Sequence, residues 1–587
     1  MKPQSAITNR IKILFILMAV FGVIFIVRLF YLQVFEYNYY QNQAAAQQLK
    51  ELTIPATRGL IYAENGANSI TPMVLNQPVY TLYADPKFVQ NPPQTAAAIN
   101  KVIGGDTSTY AKLLSDTKLG YVVLATKLNV GQYNAINKLQ LYGVGLQQVS
   151  ERVYPNGGLG SQLLGFVDAD GNGQYGVEGY LNSMLAGTNG LFKAVTDVRG
   201  IPLTTSKEDV LKPAKDGSNI LLTIDRNIQW EAEQALAQGL KNAKATSGGL
   251  VVMDPSTGRV LAMANVPTYN VANYQNVSNY SVFQNGVVSH LYEPGSDVKL
   301  LTMTAGINQG VVTPDTTFNN TGSVSVDGYT ISNVETHNGP TTMQVVLNLS
   351  LNTGAVYVLQ QLGGGNLDLQ GRNTLYQYFT QRYGFGQKTG IEQSGEEQGI
   401  IFSPTNVQGN DIRYANMSFG QGMEATMLQV ASAESAIVNG GTYYQPQLLA
   451  GTVNNAGQVV TATKPKALRT NIISSTTAST MRQMAYTALH STTNFTSNNT
   501  AGFYTGGKTG TSQTIDPHTG QYTNNNPIGS YLGFSGGNGS NGTPKYVIMV
   551  RVDDNKLPGY AGSVAAEPIF ATMSNWLLNY YGLAPSN

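Results

Sequence analysis

The hydrophobic positions of the chain begin with one long apolar run close to the N-terminus. Residues 13–27 carry no charge, and after Arg28 the apolar character resumes at 29–32. A helix over 13–35 reaches the ~20 residues that the core of a bilayer requires. The run therefore predicts one transmembrane anchor helix, with the long side chain of Arg28 extended towards the membrane interface.

Three basic residues precede the apolar run, namely Lys2, Arg10 and Lys12. Positive charge beside a span favours the cytoplasmic side, so 1–12 is predicted to be a cytoplasmic tail and the rest to lie outside the cell membrane. A cleaved signal peptide is the alternative, since Ala44-Ala45-Ala46 matches a small-residue cleavage site. That match lies far beyond the apolar run, and we favour the uncleaved anchor over it and over a buried core helix.

Beyond the anchor, alternating and glycine-punctuated segments predict a module of mixed secondary structure. The segment 79–83 alternates as a strand does, and residues 90–150 have the spacing of short helices. Pro213 to Ser218 has the composition of a linker. An N-terminal mixed α/β domain is therefore predicted over 36–215.

A second domain is predicted over 219–583. Apolar segments at 249–253 and 259–264 flank an Asp-Pro-Ser-Thr-Gly turn, which indicates a β-hairpin. Two further strands and a closing helix are predicted at 530–534, 545–552 and 565–581. Helices and antiparallel strands in this order fit an α+β layered domain.

Composition excludes several classes of protein. Charged residues make up 12% of the chain, and 35 Lys and Arg nearly balance 34 Asp and Glu, so no basic stripe is present to attract nucleic acid. The chain has no cysteine, which excludes a disulfide framework, a thiolate nucleophile and a cysteine metal site. No metal-binding cluster or phosphate-binding loop stands out, and we expect neither a metal nor a cofactor.

Candidate chemistry lies in three short motifs, Ser296-Asp297-Val298-Lys299, Ser350-Leu351-Asn352 and Lys508-Thr509-Gly510. Pro294-Gly295 suits a turn into a helix, so Ser296 is predicted near a helix N-terminus, where the dipole favours developing negative charge. A serine hydroxyl must lose its proton as it attacks a carbonyl group. Lys299 shares the helix face of Ser296, and it can accept that proton if burial and the cation of Lys508 lower its pKa.

Each motif alone is a weak signal, because second matches occur at Ser115-Asp116-Thr117-Lys118, Ser497-Asn498-Asn499 and Lys388-Thr389-Gly390. The flanking residues separate the copies. Ser115 has no Pro-Gly entry, and Lys388 is followed by Ile391-Glu392. Lys508 instead lies in a glycine-rich segment that permits a ligand to approach the strand closely.

With these flanks the ordered set resembles that of the class B penicillin-binding proteins, which are membrane-anchored peptidoglycan DD-transpeptidases. The resemblance covers nearly the whole chain and includes Arg58-Gly59-Leu60-Ile61, Asp197-Val198-Arg199-Gly200, Leu222-Thr223-Ile224-Asp225 and Phe419-Gly420-Gln421-Gly422. It implies a pedestal or dimerisation-type domain over 36–215. It also implies a transpeptidase domain over 219–583, with a five-stranded antiparallel sheet between helices as in serine β-lactamases.

The resemblance also implies a role for each motif residue. Ser296 would form the acyl-enzyme, Lys299 would be the general base, Ser350 would relay a proton to the departing D-alanine, and Lys508 would supply positive potential. The residues that would bind substrate are Asn352, Thr509, Gly510 and Thr511. The backbone N–H groups of Ser296 and Thr511 would form the oxyanion hole.

The implied substrates are D-Ala-D-Ala stem peptides on glycan made from lipid II, with β-lactam antibiotics as inhibitors. An FtsW-like polytopic glycan polymerase and other divisome proteins are the implied partners. Glu293 favours the septal, FtsI-like branch over the elongation branch. Asp297 stands where the family usually has Thr, and we expect its carboxylate to face away from Lys299, because positions one and three of a helical turn do not face each other.

Alternatives remain open. A Ser-His-Asp triad would need His290, His337, His490 or His518, and none has a convincing partner pattern. A β-lactamase or a DD-carboxypeptidase would use the same site with water, although the anchor and the N-terminal module argue against a β-lactamase. A catalytically silent scaffold need not keep the catalytic groups, all of which are present here. A penicillin sensor should carry several spans and a cytoplasmic effector, whereas about a dozen residues are predicted to lie inside.

Overall fold

The computed structural model describes residues 4–195, 210–491, 502–515 and 522–585. Asp197-Val198-Arg199-Gly200, the second S-x-N match at 497–499 and His518 lie outside these residues. The chain divides into two units, Met1–Arg58 with Gly187–Gly217 and Gly59–Ala186 with Ser218–Asn587.

The apolar run lies in the smaller unit and is helical. An α-helix spans Gln4–Phe30, a π-helical turn spans Tyr31–Phe35, and a second α-helix spans Tyr37–Gln48. The stretch Asn9–Phe35 is long and apolar enough to cross a membrane, and none of it is buried within the chain. So much exposed apolar surface is unfavourable in water, so this helix suggests a single-pass membrane anchor.

The rest of the smaller unit is a three-stranded antiparallel sheet. Its strands lie in the order Leu49–Ile54, Gly190–Val195, Val210–Lys212. The connections are fixed by side chains that bind backbone N–H groups. Asn189 Oδ1 accepts from the N–H of Ala56 at 2.9 Å, and Asp216 Oδ1 accepts from that of Thr57 at 2.7 Å.

The larger unit contains a seven-stranded sheet. Six strands lie in the order Val459–Ala462, Leu449–Val453, Asn219–Asp225, Ile61–Glu64, Ile70–Ala84, Val122–Leu128, and Val144–Val153 also pairs with Ile70–Ala84. Asn219–Asp225 pairs with Ile61–Glu64 in parallel, and the other pairs are antiparallel. This sheet contains strands from both sides of the predicted boundary at 215–219, and the division into domains remains a prediction.

A second sheet has five strands and carries the third motif at its edge. The strands lie in the order Val260–Val266, Ser247–Met253, Tyr546–Asp553, Tyr522–Gly537, Tyr504–Ile515, and every pair is antiparallel. The predicted hairpin is present, since the N–H of Asp254 donates to the carbonyl of Arg259 at 2.9 Å. Lys508, Thr509 and Gly510 lie in the edge strand Tyr504–Ile515.

Helices cover both faces of the five-stranded sheet, which confirms the predicted α+β layers. Arg226–Ala243 and Glu567–Tyr580 pack on one face. Val298–Asn308, Met427–Val438 and Ser475–His490 lie on the other face. Every residue of Met427–Val438 is buried, so this helix forms the centre of that layer.

Shorter elements complete the larger unit. Its remaining α-helices are Pro92–Ile103, Thr107–Ser115, Val130–Lys138, Ser161–Leu164, Gly176–Tyr180, Asn182–Ala186, Gly286–Ser289, Met343–Asn348, Asn352–Leu362, Leu369–Gln377 and Asp411–Met417. Turns of 3-10 helix span Pro86–Phe88, Val271–Asn276, Tyr280–Phe283 and Gly295–Asp297, and π-helical turns span Tyr378–Arg382 and Gly562–Ala566. Two-stranded ladders pair Phe166–Val167 with Gly173–Gln174, Thr317–Asn320 with Gly339–Thr342, Ser323–Val326 with Tyr329–Ser332, and Tyr443–Tyr444 with Ala467–Arg469.

The packing of the two helices on the outer face yields a stability prediction. A Cβ atom at Gly239 would lie 2.1 Å from Cγ1 of Ile569. Gly239→Ala is therefore expected to destabilise the protein by about 1–3 kcal/mol, although alanine is normally the better helix former. Thermal unfolding of the detergent-solubilised chain measures the change. Gln238→Ala, on the exposed face of the same helix, is the control, and an unfolding midpoint that rises in Gly239→Ala would contradict the prediction.

Candidate active site

The first motif forms a tight turn against the edge strand of the five-stranded sheet. Ser296 lies in the 3-10 turn Gly295–Asp297, and the helix Val298–Asn308 follows directly, as the sequence predicts. Gly295 has a φ of +65°, and a Cβ atom there would lie 2.8 Å from the carbonyl oxygen of Thr511. Glycine is therefore required both for the backbone conformation and for the approach of Ser296 to the third motif.

Lys299 reaches the hydroxyl of Ser296 from the first turn of this helix. Its Nζ lies 3.0 Å from Ser296 Oγ, 3.2 Å from Ser350 Oγ, 2.6 Å from the carbonyl oxygen of Ser350 and 2.8 Å from Asn352 Oδ1. The side chain is only 2% exposed. One amine thus joins the first two motifs, which are more than fifty residues apart in the chain.

The surroundings of Lys299 favour its neutral form. Burial lowers the pKa of Lys299 well below its usual value, and the charge of Lys508 lowers it further. The atoms around its Nζ are hydroxyl, amide and carbonyl oxygens, none of which carries a compensating negative charge. A neutral amine can accept the proton of Ser296 as the hydroxyl attacks a carbonyl group.

The second motif connects two helices. Ser350 adopts a left-handed conformation with a φ of +55° between the helices Met343–Asn348 and Asn352–Leu362. Asn352 begins the second of these helices and is bonded on both sides, because its Oδ1 accepts from Lys299 and its Nδ2 donates to the carbonyl of Ser332 at 2.9 Å. A left-handed serine is uncommon, and here it directs both the carbonyl and the hydroxyl of Ser350 towards Lys299.

The third motif and Thr511, which follows it, supply a cation and two hydroxyl groups. Lys508 is 5% exposed, and its Nζ donates to the carbonyl oxygen of Thr509 at 3.0 Å and to Thr509 Oγ1 at 3.1 Å. Thr511 Oγ1 accepts from the N–H of Gly562 at 3.2 Å. Since each threonine hydroxyl accepts from an N–H group here, its own hydrogen can be donated to a substrate carboxylate. Both threonines are half-buried and accessible.

Asp297 faces away from Lys299, as expected, but its surroundings were not predicted. It is fully buried, its Oδ2 accepts from Ser530 Oγ at 2.6 Å, and a Cβ atom at Gly510 would lie 2.7 Å from the same oxygen. Burial raises its pKa, while the hydrogen bond from Ser530 and the charge of Lys508 oppose that rise. Asp297 thus influences Lys508 in the neighbouring strand, and it is not among the charges that act on Lys299.

Two further carboxyl groups were missed by sequence reasoning. Glu434 and Glu567 are 2% and 4% exposed. Burial raises the pKa of Glu434 to about 8, with a further contribution from Asp297, and burial raises the pKa of Glu567 to about 7 against the influence of Lys508. Each is a lone acidic residue in an apolar helical segment of the sequence. That isolated acid is the signal by which sequence reasoning could have found these two residues.

The segment Phe419-Gly420-Gln421-Gly422 packs against the nucleophile turn. The N–H of Gly295 donates to the carbonyl of Gly420 at 3.0 Å, and a Cβ atom at Gly420 would lie 2.0 Å from the carbonyl oxygen of Gly295. Glu293 Oε1 accepts from the N–H of Gly422 at 2.7 Å. These contacts fix the turn that carries Ser296, and they give Glu293 a structural role.

The second copies of the motifs have other contacts. Ser115 ends an exposed helix and its Oγ donates to the carbonyl of Ala111 at 2.7 Å. In Lys388-Thr389-Gly390 the carboxylate of Glu396 accepts from the N–H of Thr389 at 2.6 Å and from that of Gly390 at 3.1 Å. In the part of the chain that the structure describes, the side chain bonded to Ser296 Oγ is that of Lys299 and not a histidine. Within the described residues no group of three His, Cys, Asp or Glu could hold a metal ion.

Comparison with known proteins identifies both parts of the chain. The family model of the penicillin binding protein transpeptidase domain matches residues 248–575, and that of the penicillin-binding protein dimerisation domain matches residues 53–222.

Relatives align over nearly the whole chain. Stage V sporulation protein D of Bacillus subtilis is 31% identical over 99% of this chain and 87% of its own length. Peptidoglycan D,D-transpeptidase FtsI of Buchnera aphidicola is 25% identical over 97% of this chain and 94% of its own. The crystal structure of penicillin binding protein 3 from Mycobacterium tuberculosis, complexed with aztreonam, superposes with a TM-score of 0.68 at 25% identity over 91% of this chain and 99% of that one. The chain belongs to the transpeptidase family of class B penicillin-binding proteins.

Proposed function

We propose that this protein cross-links peptidoglycan by acyl transfer through a serine ester and that β-lactams acylate the same serine. The observation that supports this most directly is the buried Lys299 amine 3.0 Å from the hydroxyl of Ser296, with the cation of Lys508 nearby. The names of the relatives, a peptidoglycan D,D-transpeptidase and a penicillin binding protein complexed with aztreonam, fit this activity.

The first half-reaction forms the acyl-enzyme. Ser296 Oγ attacks the carbonyl carbon of the penultimate D-alanine as Lys299 takes the hydroxyl proton, and the backbone N–H groups of Ser296 and Thr511 stabilise the oxyanion, each worth about 3–4 kcal/mol in comparable enzymes. The C–N bond then breaks. Ser350, 3.2 Å from Lys299 Nζ, relays the proton to the departing D-alanine amine, which leaves an ester on Ser296.

The second half-reaction transfers the acyl group to an amine. An amine of a neighbouring stem peptide attacks the ester carbonyl and loses its proton to Lys299. Lys299 passes that proton to the departing oxygen of Ser296 as the ester C–O bond breaks and the new amide forms. Asn352, Gly510 and the hydroxyls of Thr509 and Thr511 hold the donor peptide in this scheme. With water as the acceptor the site would act as a DD-carboxypeptidase.

The setting of this reaction is the extracytoplasmic face of the cell membrane. We assign residues 1–12 to the cytoplasm because of Lys2, Arg10 and Lys12. The resemblance to FtsI favours a septal role in cell division, with an FtsW-like glycan polymerase and other divisome proteins as partners and glycan made from lipid II as substrate.

The identity of the nucleophile gives the first functional prediction. Ser296→Ala is expected to abolish covalent labelling by a fluorescent penicillin, because it removes the hydroxyl proposed to attack, 3.0 Å from the buried amine of Lys299, while the other hydroxyl beside that amine, Ser350 Oγ, has the role of proton relay. Ser115→Ala, in the second S-x-x-K match, is the matched control and should keep full labelling. Gel fluorescence of membranes measures both. Unchanged labelling of Ser296→Ala would exclude Ser296 as the nucleophile.

The released products separate the remaining candidate activities. Incubation with glycan strands carrying pentapeptides is expected to give cross-linked dimers, whereas a carboxypeptidase would release D-alanine without dimers. Rapid loss of the penicillin label would indicate a β-lactamase, and no label on the wild type would indicate a silent scaffold.

The second functional prediction concerns the pH dependence of acylation. The cation of Lys508 lowers the pKa of Lys299, so Lys508→Ala is expected to raise it. Because only the neutral amine can act as the base, the acid limb of the plot of acylation rate against pH should move to higher pH by about one unit. At a given pH on that limb, the acylation rate should fall roughly tenfold. Lys388→Ala, in the second K-T-G match, is the control. An acid limb in Lys508→Ala that coincides with that of the wild type would show that Lys508 does not tune the base.

A further inference from the structure

Two of the three missed or unpredicted carboxyl groups are buried close to the third motif without a direct ion pair. Asp297 Oδ1 and Glu567 Oε1 have no hydrogen-bond partner, and neither residue forms an ion pair within the described part of the chain. Burying a carboxylate in this way is costly. Apolar or hydroxyl residues would be less costly at these positions. The carboxylates therefore require an explanation beyond packing.

The register of the sheet brings Asp297 close to Lys508. Gly510 pairs with Ser530 and Lys508 pairs with Leu532, and Asp297 lies directly against Gly510 and Ser530. Residues two apart in a strand share a face at a separation of about 7 Å. Lys508 and the carboxylate of Asp297 therefore lie on the same face of the edge strand, with only the hydrogen atom of Gly510 between the strand and the carboxylate.

Glu567 begins the closing helix, next to a turn that packs on the third motif. It is the first residue of Glu567–Tyr580 and directly follows the π-helical turn Gly562–Ala566. That turn packs on the third motif, because a Cβ atom at Gly562 would lie 2.3 Å from the carbonyl oxygen of Gly510. Turns of π-helix occur frequently at functional sites, and this one places the start of the helix against the edge strand.

We propose that Asp297 and Glu567 are positioning residues that act through Lys508: from two sides they form its buried counter-charge and keep its amine a cation beside the acyl-transfer site. This inference rests on the proposed function. Neither carboxylate touches the substrate. Their effect on the chemistry passes through Lys508, whose positive charge favours the neutral, proton-accepting form of Lys299.

The directions of the pKa shifts agree with this arrangement. Burial lowers the pKa of Lys508, and the charges of Asp297 and then Glu567 raise it. In return, Lys508 lowers the pKa of both carboxyl groups against the effect of burial. Without the two carboxylates, Lys508 would lose its proton at a lower pH.

Other titratable groups around this cluster come from every neighbouring element. Those that face Asp297 or Lys508 are Lys299, Glu434, Tyr292 and Tyr531. The helix Ser475–His490 packs along the same edge strand, and its titratable residues Arg482, Tyr486 and His490 gather at the Tyr504 end. The charge of Asp297 raises the pKa of Glu434, and Glu434 is not among the charges that act on Lys508.

The test is the pH profile of acylation of the full-length protein by a fluorescent penicillin. In Asp297→Asn and in Glu567→Gln, Lys508 should lose its proton at a lower pH. The alkaline limb of the plot of acylation rate against pH should therefore move to lower pH by about one unit. On the acid limb, which reports the deprotonation of Lys299, Lys508 is still protonated, so that limb should stay in place. The active pH range is expected to narrow from the alkaline side, and to narrow more in the double variant.

Two further variants keep the test decisive. Asp297→Thr installs the residue usual in the family and should narrow the range as Asp297→Asn does, even if the asparagine folds poorly. Glu392→Gln is the matched control. It neutralises a half-buried acid whose carboxylate accepts from the N–H of Leu448 at 2.7 Å, and Glu392 is not among the charges that act on Lys508. Its pH profile should equal that of the wild type.

The possible results separate this inference from the proposed function. If both limbs of the pH profile stay in place in the Asp297 and Glu567 variants and the acylation rate falls equally at every pH, the two residues have a purely structural role. That result would overturn the inference. Failure of the wild type to be acylated at Ser296 at any pH would instead overturn the proposed function. A narrower pH range of acylation in the Asp297 and Glu567 variants, with the profile of Glu392→Gln equal to that of the wild type, would support the role of the two carboxylates as the counter-charge of Lys508.

Discussion

The chemistry of this protein depends on a lysine amine that is removed from water without a negative partner. The Nζ of Lys299 is surrounded by the oxygens of Ser296, Ser350 and Asn352. These atoms satisfy its hydrogen bonds, but they do not neutralise its charge. An ammonium in such a place is unfavourable relative to water, so the neutral amine becomes accessible at moderate pH. A carboxylate in the same position would stabilise the ammonium and remove the base.

Close backbone contacts hold that amine and its serine in register with the edge strand. Gly295 lies against Thr511, Gly420 lies against Gly295, and Gly510 lies against Asp297, each at a distance that a Cβ atom would not allow. A displacement of 1 Å in a reacting group can cost a hundredfold in rate. The glycines that accompany the motifs are therefore steric requirements of the site. Their conformational freedom matters chiefly at Gly295 and Gly420, which have positive φ.

Local sequence pattern predicts the parts of this fold that depend on local interactions. The hairpin of Ser247–Met253 and Val260–Val266, the closing helix and the turn at Ser296 follow from periodicity and turn chemistry over a few residues. The pairing of Asn219–Asp225 with Ile61–Glu64 does not, because the register of distant strands leaves no local signal. The bond between Asp297 and Ser530, residues 233 positions apart, is hidden for the same reason. The resemblance of the motif set implied that Lys508 lies near Lys299, but it did not reveal that the carboxyl groups of Asp297 and Glu567 are buried near Lys508.

The two copies of Lys-Thr-Gly show why neighbours, and not the tripeptide, decide the chemistry. In Lys388-Thr389-Gly390 the carboxylate of Glu396 binds the backbone N–H groups and fixes a turn. Beside Lys508-Thr509-Gly510, Asp297 Oδ2 accepts from Ser530 Oγ, whereas Asp297 Oδ1 and Glu567 Oε1 have no hydrogen-bond partner among the described residues. Both carboxylates act on the lysine through space. Bonds to N–H groups stabilise a buried carboxylate, whereas a buried carboxylate oxygen without a hydrogen-bond partner depends on a cation nearby. The second arrangement ties the charges of the lysine and the two acids together, so each group titrates according to the others.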